Sequence, residues 1–236
     1  MNPEMFREYD IRGIVGKDMT EDDVVLIGKG VGTFLRENGC SKLNVGRDCR
    51  LSSDLYSEKI IEGLMSTGCD VVDIGVCPTP VFYFSIQHLD AEGGVMVTAS
   101  HNPKEYNGFK LCMGLDSIHG QDIQKILGII NEKSFVKGKG SRFTADAVTP
   151  YREFVENNIT LAKPIKVGVD AGNGTAGVVA VPILRRLGCE VYDIYCDMDG
   201  RFPNHEADPT VGKNMQDLIA LVREKKLDVG IGYDGD

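Results

Sequence analysis

Thr98-Ala99-Ser100-His101-Asn102-Pro103 places a hydroxyl, an imidazole and an amide directly after the apolar run Gly94 to Val97. Loops held at strand ends are where functional side chains concentrate. Ser, Asn and Pro are also common turn formers, so a plain turn remains open at this point. A hydrolase triad is disfavoured. Ser100 and His101 are adjacent, and consecutive side chains of an extended segment point to opposite sides, which places His101 badly as a base for Ser100. The chain also has no Gly-x-Ser-x-Gly elbow.

Two further segments carry chemistry-bearing patterns. In Gly232-Tyr233-Asp234-Gly235-Asp236, alternating carboxylates with a glycine between them can hold a hard cation through oxygen. Two aspartates leave a Mg²⁺ shell to be filled by waters, a phosphate oxygen or residues beyond 236; a solvated acidic segment is the alternative. Asp170-Ala-Gly172-Asn-Gly174-Thr-Ala-Gly177 is a literal G-x-G-x-x-G, with Asp193 about twenty residues on, the dinucleotide-binding spacing. Against that function stand Asp170, whose carboxylate would face the pyrophosphate, and the use of such glycines in any strand-to-helix turn. Arg7, Arg12, Arg47, Arg50, Lys104 and Lys110 gather in the first half. A phosphate-handling site in an acidic chain needs several of these focused in one cleft, although most surface cations are merely solvated.

The elements that must position these residues alternate between helix and strand. Thr20 is placed to cap a helix with Val24, Ile27, Val31, Phe34 and Leu35 on one face and Gly39 past its end. Strands are expected over 43–48, 70–74 and 94–98. Helices are expected from Asp54 to before Gly68 and from the Pro78-Thr-Pro80 break to about Leu89. KEYNG, after the serine loop, shows no hydrophobic periodicity. Residues 132–164 turn polar and basic until Thr149 and Pro150 offer a cap and an N1 proline for a new helix. Beyond it, strands over 165–170, 190–195 and 227–232 alternate with helices over 175–187 and 214–225. This order implies parallel sheets covered by helices.

The two halves resemble each other. Val45-Gly46-x-Asp48 recurs as Val167-Gly168-x-Asp170, Gly68-Cys-Asp-Val-Val-Asp-Ile74 as Gly188-Cys-Glu-Val-Tyr-Asp-Ile194, and Leu89-Asp90 as Leu227-Asp228. A duplicated unit follows, with a boundary at 148/149. Its two final strands lead to Ser100 and to Asp234. Ligands bind at the carboxyl ends of strands in open α/β sheets, so both loops fall where chemistry is expected.

A net charge of -9 argues against nucleic-acid or anionic-membrane partners, which are held by clustered Lys and Arg. The N-terminus lacks a signal-peptide core and no run is long enough to span a membrane, so a cytoplasmic location is expected by default. The seven cysteines form no Cys-x-x-Cys pair and read as reduced thiols.

Taken together, FREYDIRG (6–13), VGRDCRLSS (45–53), VMVTASHNPKEYNGFK (95–110), DAGNGTAG (170–177), DGRFPNHEADP (199–209) and GYDGD (232–236) resemble the α-D-phosphohexomutase family of the bacterial phosphomannomutase/phosphoglucomutase type. The resemblance implies an α/β fold of two tandem, related three-layer αβα domains with mainly parallel mixed sheets. They would cover 1–148 and 149–236, the second incomplete and a third and fourth absent. It also implies an isomerase that interconverts hexose 1-phosphate and 6-phosphate through a phosphoserine and a 1,6-bisphosphate, with Mg²⁺ as cofactor and the hexose 1,6-bisphosphate as activator.

By the same resemblance Ser100 carries the phosphate, His101, Asn102 and Lys104 shape its loop, and Ser100, Asp234 and Asp236 hold the metal. Arg12 and Lys110 lie near the phosphoserine, with Lys110 as acid/base if its neighbours lower its pKa. The chain alone is expected to turn over little substrate, since positioning supplies much of the rate and the loops that read the sugar and grip its second phosphate would lie elsewhere. The competing reading is a non-catalytic two-domain binding or folding module, including the dinucleotide binder.

Overall fold

The structure, a computed structural model, describes all 236 residues. After a 3-10 turn at Pro3–Met5, the chain runs β1 (Ile11–Ile14), α1 (Glu21–Glu37), β2 (Lys42–Arg47), α2 (Ser53–Met65), β3 (Asp70–Val76), α3 (Thr79–His88), β4 (Gly93–Val97) and β5 (Tyr106–Met113). It continues through β6 (Asp116–Ser117), α4 (Gln121–Glu132), β7 (Arg142–Thr144), α5 (Val148–Asn158), β8 (Lys166–Asp170), α6 (Gly177–Arg186), β9 (Glu190–Ile194), α7 (Gln216–Lys225) and β10 (Val229–Gly232).

Local chemistry accounts for the helix starts. Thr20 closes a capping box with Asp23 at the head of α1, each side chain satisfying the other's backbone N–H. At α5 the expected cap is displaced: Thr149 and Pro150 lie within the first turn. Asp146 does the capping, its Oδ1 accepting from Val148 N at 2.9 Å and Thr149 N at 3.2 Å. A carboxylate just ahead of the first free N–H groups is the better-placed acceptor.

The first sheet has the order β1-β5-β4-β2-β3-β7, with β6 beside β5; the second is β10-β8-β9. In the first, β4, β2, β3 and β7 are parallel, while β5 runs antiparallel between β4 and β1. The second is parallel throughout. Four strands, β1, β5, β6 and β7, and one helix lie outside the expected elements. The last three residues of KEYNG open β5, most of whose residues are buried, so no polar alternation marks it. The polar 132–164 stretch contains β7, an exposed edge strand anchored by Arg142, which pairs with Glu58 and with Asp73. α4, absent from the expected elements, buries Ile123, Ile126, Leu127 and Ile130 on one face.

One core lies where α1, α2 and α4 cover a face of the first sheet, centred on Val24, Ile27, Leu43, Val45, Ile60 and Leu64. On the other face Val72, Val81, Phe82 and Met96 pack with Val179 and Ile183 of α6, so apolar contact joins the two sheet units. The second sheet has a small core of Val167, Val169, Val181 and Cys189. All seven cysteines are unpaired, and burial pushes the Cys49 and Cys77 thiols up to about 12. No helix is long and apolar enough to cross a membrane.

Candidate active site at the junction of the two sheets

β4 and β10 occupy the same place in their sheets, each parallel to the central strand, and the loops at their carboxyl ends meet. Ser100 Oγ donates toward Asp234 Oδ1 at 2.9 Å and Asp236 Oδ1 at 3.0 Å. Ser100 is buried and sits at φ +54°, a left-handed conformation uncommon outside glycine. Its N–H donates to Thr98 Oγ1 at 2.9 Å, and that hydroxyl donates to the buried Asp48 carboxylate at 2.8 Å. The segment is therefore a tight turn and not the extended stretch assumed in weighing the triad. The triad still fails, because Nδ1 of His101 lies 2.9 Å from Asp234 Oδ2 and the imidazole shares that carboxylate with Ser100.

Asp236 is the most constrained acid of the cluster. Its Oδ2 accepts from Lys110 Nζ at 2.7 Å and Thr79 Oγ1 at 3.0 Å. Burial would raise this carboxyl, but the Lys110 ammonium and the hydroxyl donors outweigh it and hold the group below the usual aspartate range. Lys110 thus has one of its donors committed to Asp236.

The cluster offers a cation several oxygen donors. Two carboxylates and the seryl oxygen come together within hydrogen-bonding distance, a donor set that suits a hard divalent ion such as Mg²⁺. No three His, Cys, Asp or Glu side chains of the chain gather into a metal centre, so these residues could fill only part of such an ion's shell. The Gly235 turn that spaces the two aspartates is pressed against the glycine-rich loop. A Cβ on Gly174 would lie 2.6 Å from the Gly235 carbonyl oxygen, and Thr175 N donates to that same oxygen at 3.1 Å.

That contact bears on the dinucleotide reading. Added Cβ atoms at Gly172, Gly174 and Gly177 would meet Ala207, Gly235 and Cys196 respectively. The glycines make room for the chain's own backbone, in the place a pyrophosphate would need.

The other expected residues are dispersed. Arg12 on β1 lies opposite Gly108 of β5, whose carbonyl accepts from Thr98 N, so all three share one row across the sheet. Its guanidinium pairs with Asp10 and leaves Nε buried without a partner. Asn102 N donates to Ala99 O at 3.0 Å, which closes the serine turn. Lys104 is exposed and lines a shallow cleft with Asn102, Arg201 and Glu206. The expected focusing of cations into one cleft is only partial. Arg47 is taken up by Asp54 and Asp73, and Arg50 is buried with its donors turned to Asp48 and to loop carbonyls. Thr79, Thr98 and Asp48 were not named as site residues in the sequence. Asp48 left a trace as the last residue of the duplicated Val-Gly-x-Asp, and Thr98 as the first residue of the serine-loop motif.

Comparison with known proteins places this geometry. Residues 3–137 match the family profile "Phosphoglucomutase/phosphomannomutase, alpha/beta/alpha domain I" and residues 149–236 match "alpha/beta/alpha domain II" of the same series. A phosphomannomutase/phosphoglucomutase of Pseudomonas aeruginosa is 41% identical over 232 residues, 98% of this chain and 50% of the relative. A phosphoglucomutase of Neisseria meningitidis is 40% identical over 235 residues, 99% of this chain and 51% of the relative. The crystal structure of a phosphoglucomutase/phosphomannomutase family protein from Burkholderia thailandensis superposes with a TM-score of 0.96 at 38% identity, covering all of this chain and 53% of that one. The chain thus spans about half the length of the curated relatives it matches.

Proposed function

The chain belongs to the phosphoglucomutase/phosphomannomutase family, and from that premise we propose that it is the phosphoryl-carrying part of a phosphohexomutase, with Ser100 as the carrier. The reaction is the interconversion of hexose 1-phosphate and 6-phosphate through a 1,6-bisphosphate. In the first transfer a sugar hydroxyl oxygen attacks the phosphorus of phosphoserine. The bond from phosphorus to Ser100 Oγ breaks, the sugar hydroxyl loses its proton, and the seryl oxygen gains one. In the second the bisphosphate, turned end for end, returns its other phosphoryl group to Ser100 Oγ and keeps a hydroxyl in its place.

The observation that carries this reading is the convergence of Ser100 Oγ with Asp234 and Asp236 beside Lys110. A phosphoserine has a charge of about -1.5 to -2 and would be repelled by two carboxylates unless a cation stood with them. Mg²⁺ bound by Asp234, Asp236 and a seryl or phosphoryl oxygen would neutralise that charge. Ser100 is already fixed in a turn that presents its hydroxyl, so little reorganisation precedes the transfer. Lys110 is the candidate acid/base, while Arg12 and Lys104 are candidate phosphate contacts and His101 and Asn102 shape the loop.

Within this reading the chain divides at 148/149 into a phosphoserine unit and a metal-loop unit, which the two sheets and the two family matches support. The sugar and its distal phosphate would be gripped by the half of the relatives that this chain does not match, so complete turnover by these 236 residues should be slight. A cytoplasmic location belongs to the same reading. The test is incubation with glucose or mannose 1,6-bisphosphate and Mg²⁺, followed by intact-mass measurement. One phosphate bound to the chain and missing from Ser100→Ala is expected; no uptake, or uptake unchanged in that variant, sinks the proposal.

A further inference from the structure

Arg50 is among the least accessible side chains of the protein, with 1% of its side chain exposed, yet it carries a full charge. It takes up no phosphate-binding position. Its Nε donates to Asp48 Oδ2 at 3.1 Å, and its terminal nitrogens donate to the carbonyls of Ser100 and Asn102 at 2.7 Å, Pro103 at 2.8 Å and Tyr106 at 3.2 Å. One guanidinium therefore gathers four carbonyls of the serine loop around itself. The fixed fork of donors makes this possible; a lysine ammonium has three donors on a flexible stem and cannot reproduce the pattern.

The consequence falls on Ser100. A serine at φ +54° is held against its own conformational preference. Its N–H is tied to Thr98 and its C=O to Arg50, and both ties lead to the single carboxylate of Asp48. The loop is thus pinned on both sides of the residue that bears the reacting hydroxyl.

The far face of Arg50 is closed by the second unit. The Phe202 ring lies 5.1 Å from the guanidinium carbon, and Gly200 makes a parallel bridge with Arg50. A Cβ on Gly200 would stand 2.8 Å from Leu51 N, so only glycine lets the loop approach this closely. Phe202 is itself at φ +49°, a genuine outlier for a bulky residue. Such a conformation persists only where the surroundings over-determine it. Stacking on a desolvated guanidinium supplies that constraint, and in return the ring keeps water from the carbonyl contacts.

We propose that Arg50 is a positioning residue that locks Ser100 in its reactive turn, and that Phe202 is the cover through which the second unit secures that lock. The inference rests on the phosphoserine reading above for its catalytic meaning, and on hydrogen-bond geometry alone for its structural one. Burial lowers the Arg50 pKa, with Asp48 and Asp236 opposing the shift. The group therefore depends on its buried carboxylate partner and cannot be spared from it.

The test compares Arg50→Lys, Phe202→Ala and Phe202→Leu in the whole chain by two readouts. The first is amide hydrogen exchange of residues 100–106 against β2. The second is the concentration dependence of Ser100 phosphorylation by glucose 1,6-bisphosphate with Mg²⁺. Arg50→Lys should speed exchange in the serine loop while leaving β2 protected. It should lower the limiting phosphorylation rate by roughly a hundredfold with little change in the half-saturating concentration, the mark of misplacement and not of lost binding. Phe202→Ala should do the same by about tenfold and Phe202→Leu by less, since an aliphatic cover still excludes water.

Unchanged loop exchange in Arg50→Lys would overturn the proposal. So would a fall in rate that merely tracks loss of global stability, measured by thermal unfolding of the same variants. If the unsubstituted chain accepts no phosphate, the phosphoserine reading fails by itself, and the exchange comparison still decides whether Arg50 holds the loop.

Discussion

The β4-β2-β3 part of the first sheet and the β10-β8-β9 sheet share strand order, direction and crossover pattern, yet they are finished differently. β5 and β1 flank β4, β7 flanks β3, and helices cover both faces; β2 is largely buried. No strand of the chain pairs with the outer edge of β10, whose residues are exposed or half-buried. The central strands lead alike to a buried aspartate, but its partners differ. Asp48 accepts from Arg50, Ser53 and Thr98, whereas Asp170 accepts from Gly172 N and faces His205 Nε2 at 3.0 Å. One framework serves both units; the first ties its aspartate to the serine loop and the second leaves its loop to deliver carboxylates. The related strand ends differ at a few positions, so that one unit presents a serine and the other a pair of acids.

Four results would break or sharpen this contrast. The largest concerns chemistry: Ser100→Ala should abolish phosphate uptake from hexose 1,6-bisphosphate in the mass assay, with the fold intact by circular dichroism. The next compares the paired aspartates by urea denaturation. Asp48→Ala strands a buried arginine cation and should cost about 3–5 kcal/mol. Asp170→Ala should cost about 1–3 kcal/mol, because it takes the acceptor from the Gly172 N–H and from His205 and strands no arginine. Equal losses would mean that the two sets of partners are interchangeable.

Packing comes third. Leu43→Ala in β2 removes a fully buried side chain and should cost about 2–5 kcal/mol. Ile231→Ala in β10, only half-buried, should cost less than about 2 kcal/mol. A reversal would show that the second sheet carries more of the chain's stability than its burial indicates.

The smallest effect is that of pH on Asp236. Its carboxyl is held below the ordinary aspartate range in the fold, so the ionised form favours the folded chain. That contribution is complete above roughly pH 4 and is lost as pH falls through the depressed folded value. Lys110→Met removes the main cationic partner and should flatten the acid limb of a pH-stability curve; an unchanged limb would mean that burial and hydroxyl donors govern this group.

The sequence by itself determined the alternation of strands and helices, the relation between the halves, and the positions of the two loops. Each of these is written in local pattern: Thr20 before a 3.6-residue apolar stripe, Gly68 and Gly188 before matching strands, Ser100 and Asp234 after final ones. β5 and β7 were not legible, because a strand buried along most of its length and a short exposed edge strand both lack a two-residue alternation. The role of the glycine-rich loop was equally hidden, since a motif records that a backbone must come close and not what it comes close to.

Tertiary structure alone decided which charges are spent and which are free. Arg47 and Arg50 read as candidates for phosphate until their partners appear at Asp54, Asp73, Asp48 and the carbonyls of the serine loop. Lys110 acquires its meaning from Asp236, 126 positions away in the chain. The energy of a charge depends on its solvation and on its neighbours in space, and neither is a property of neighbours in sequence.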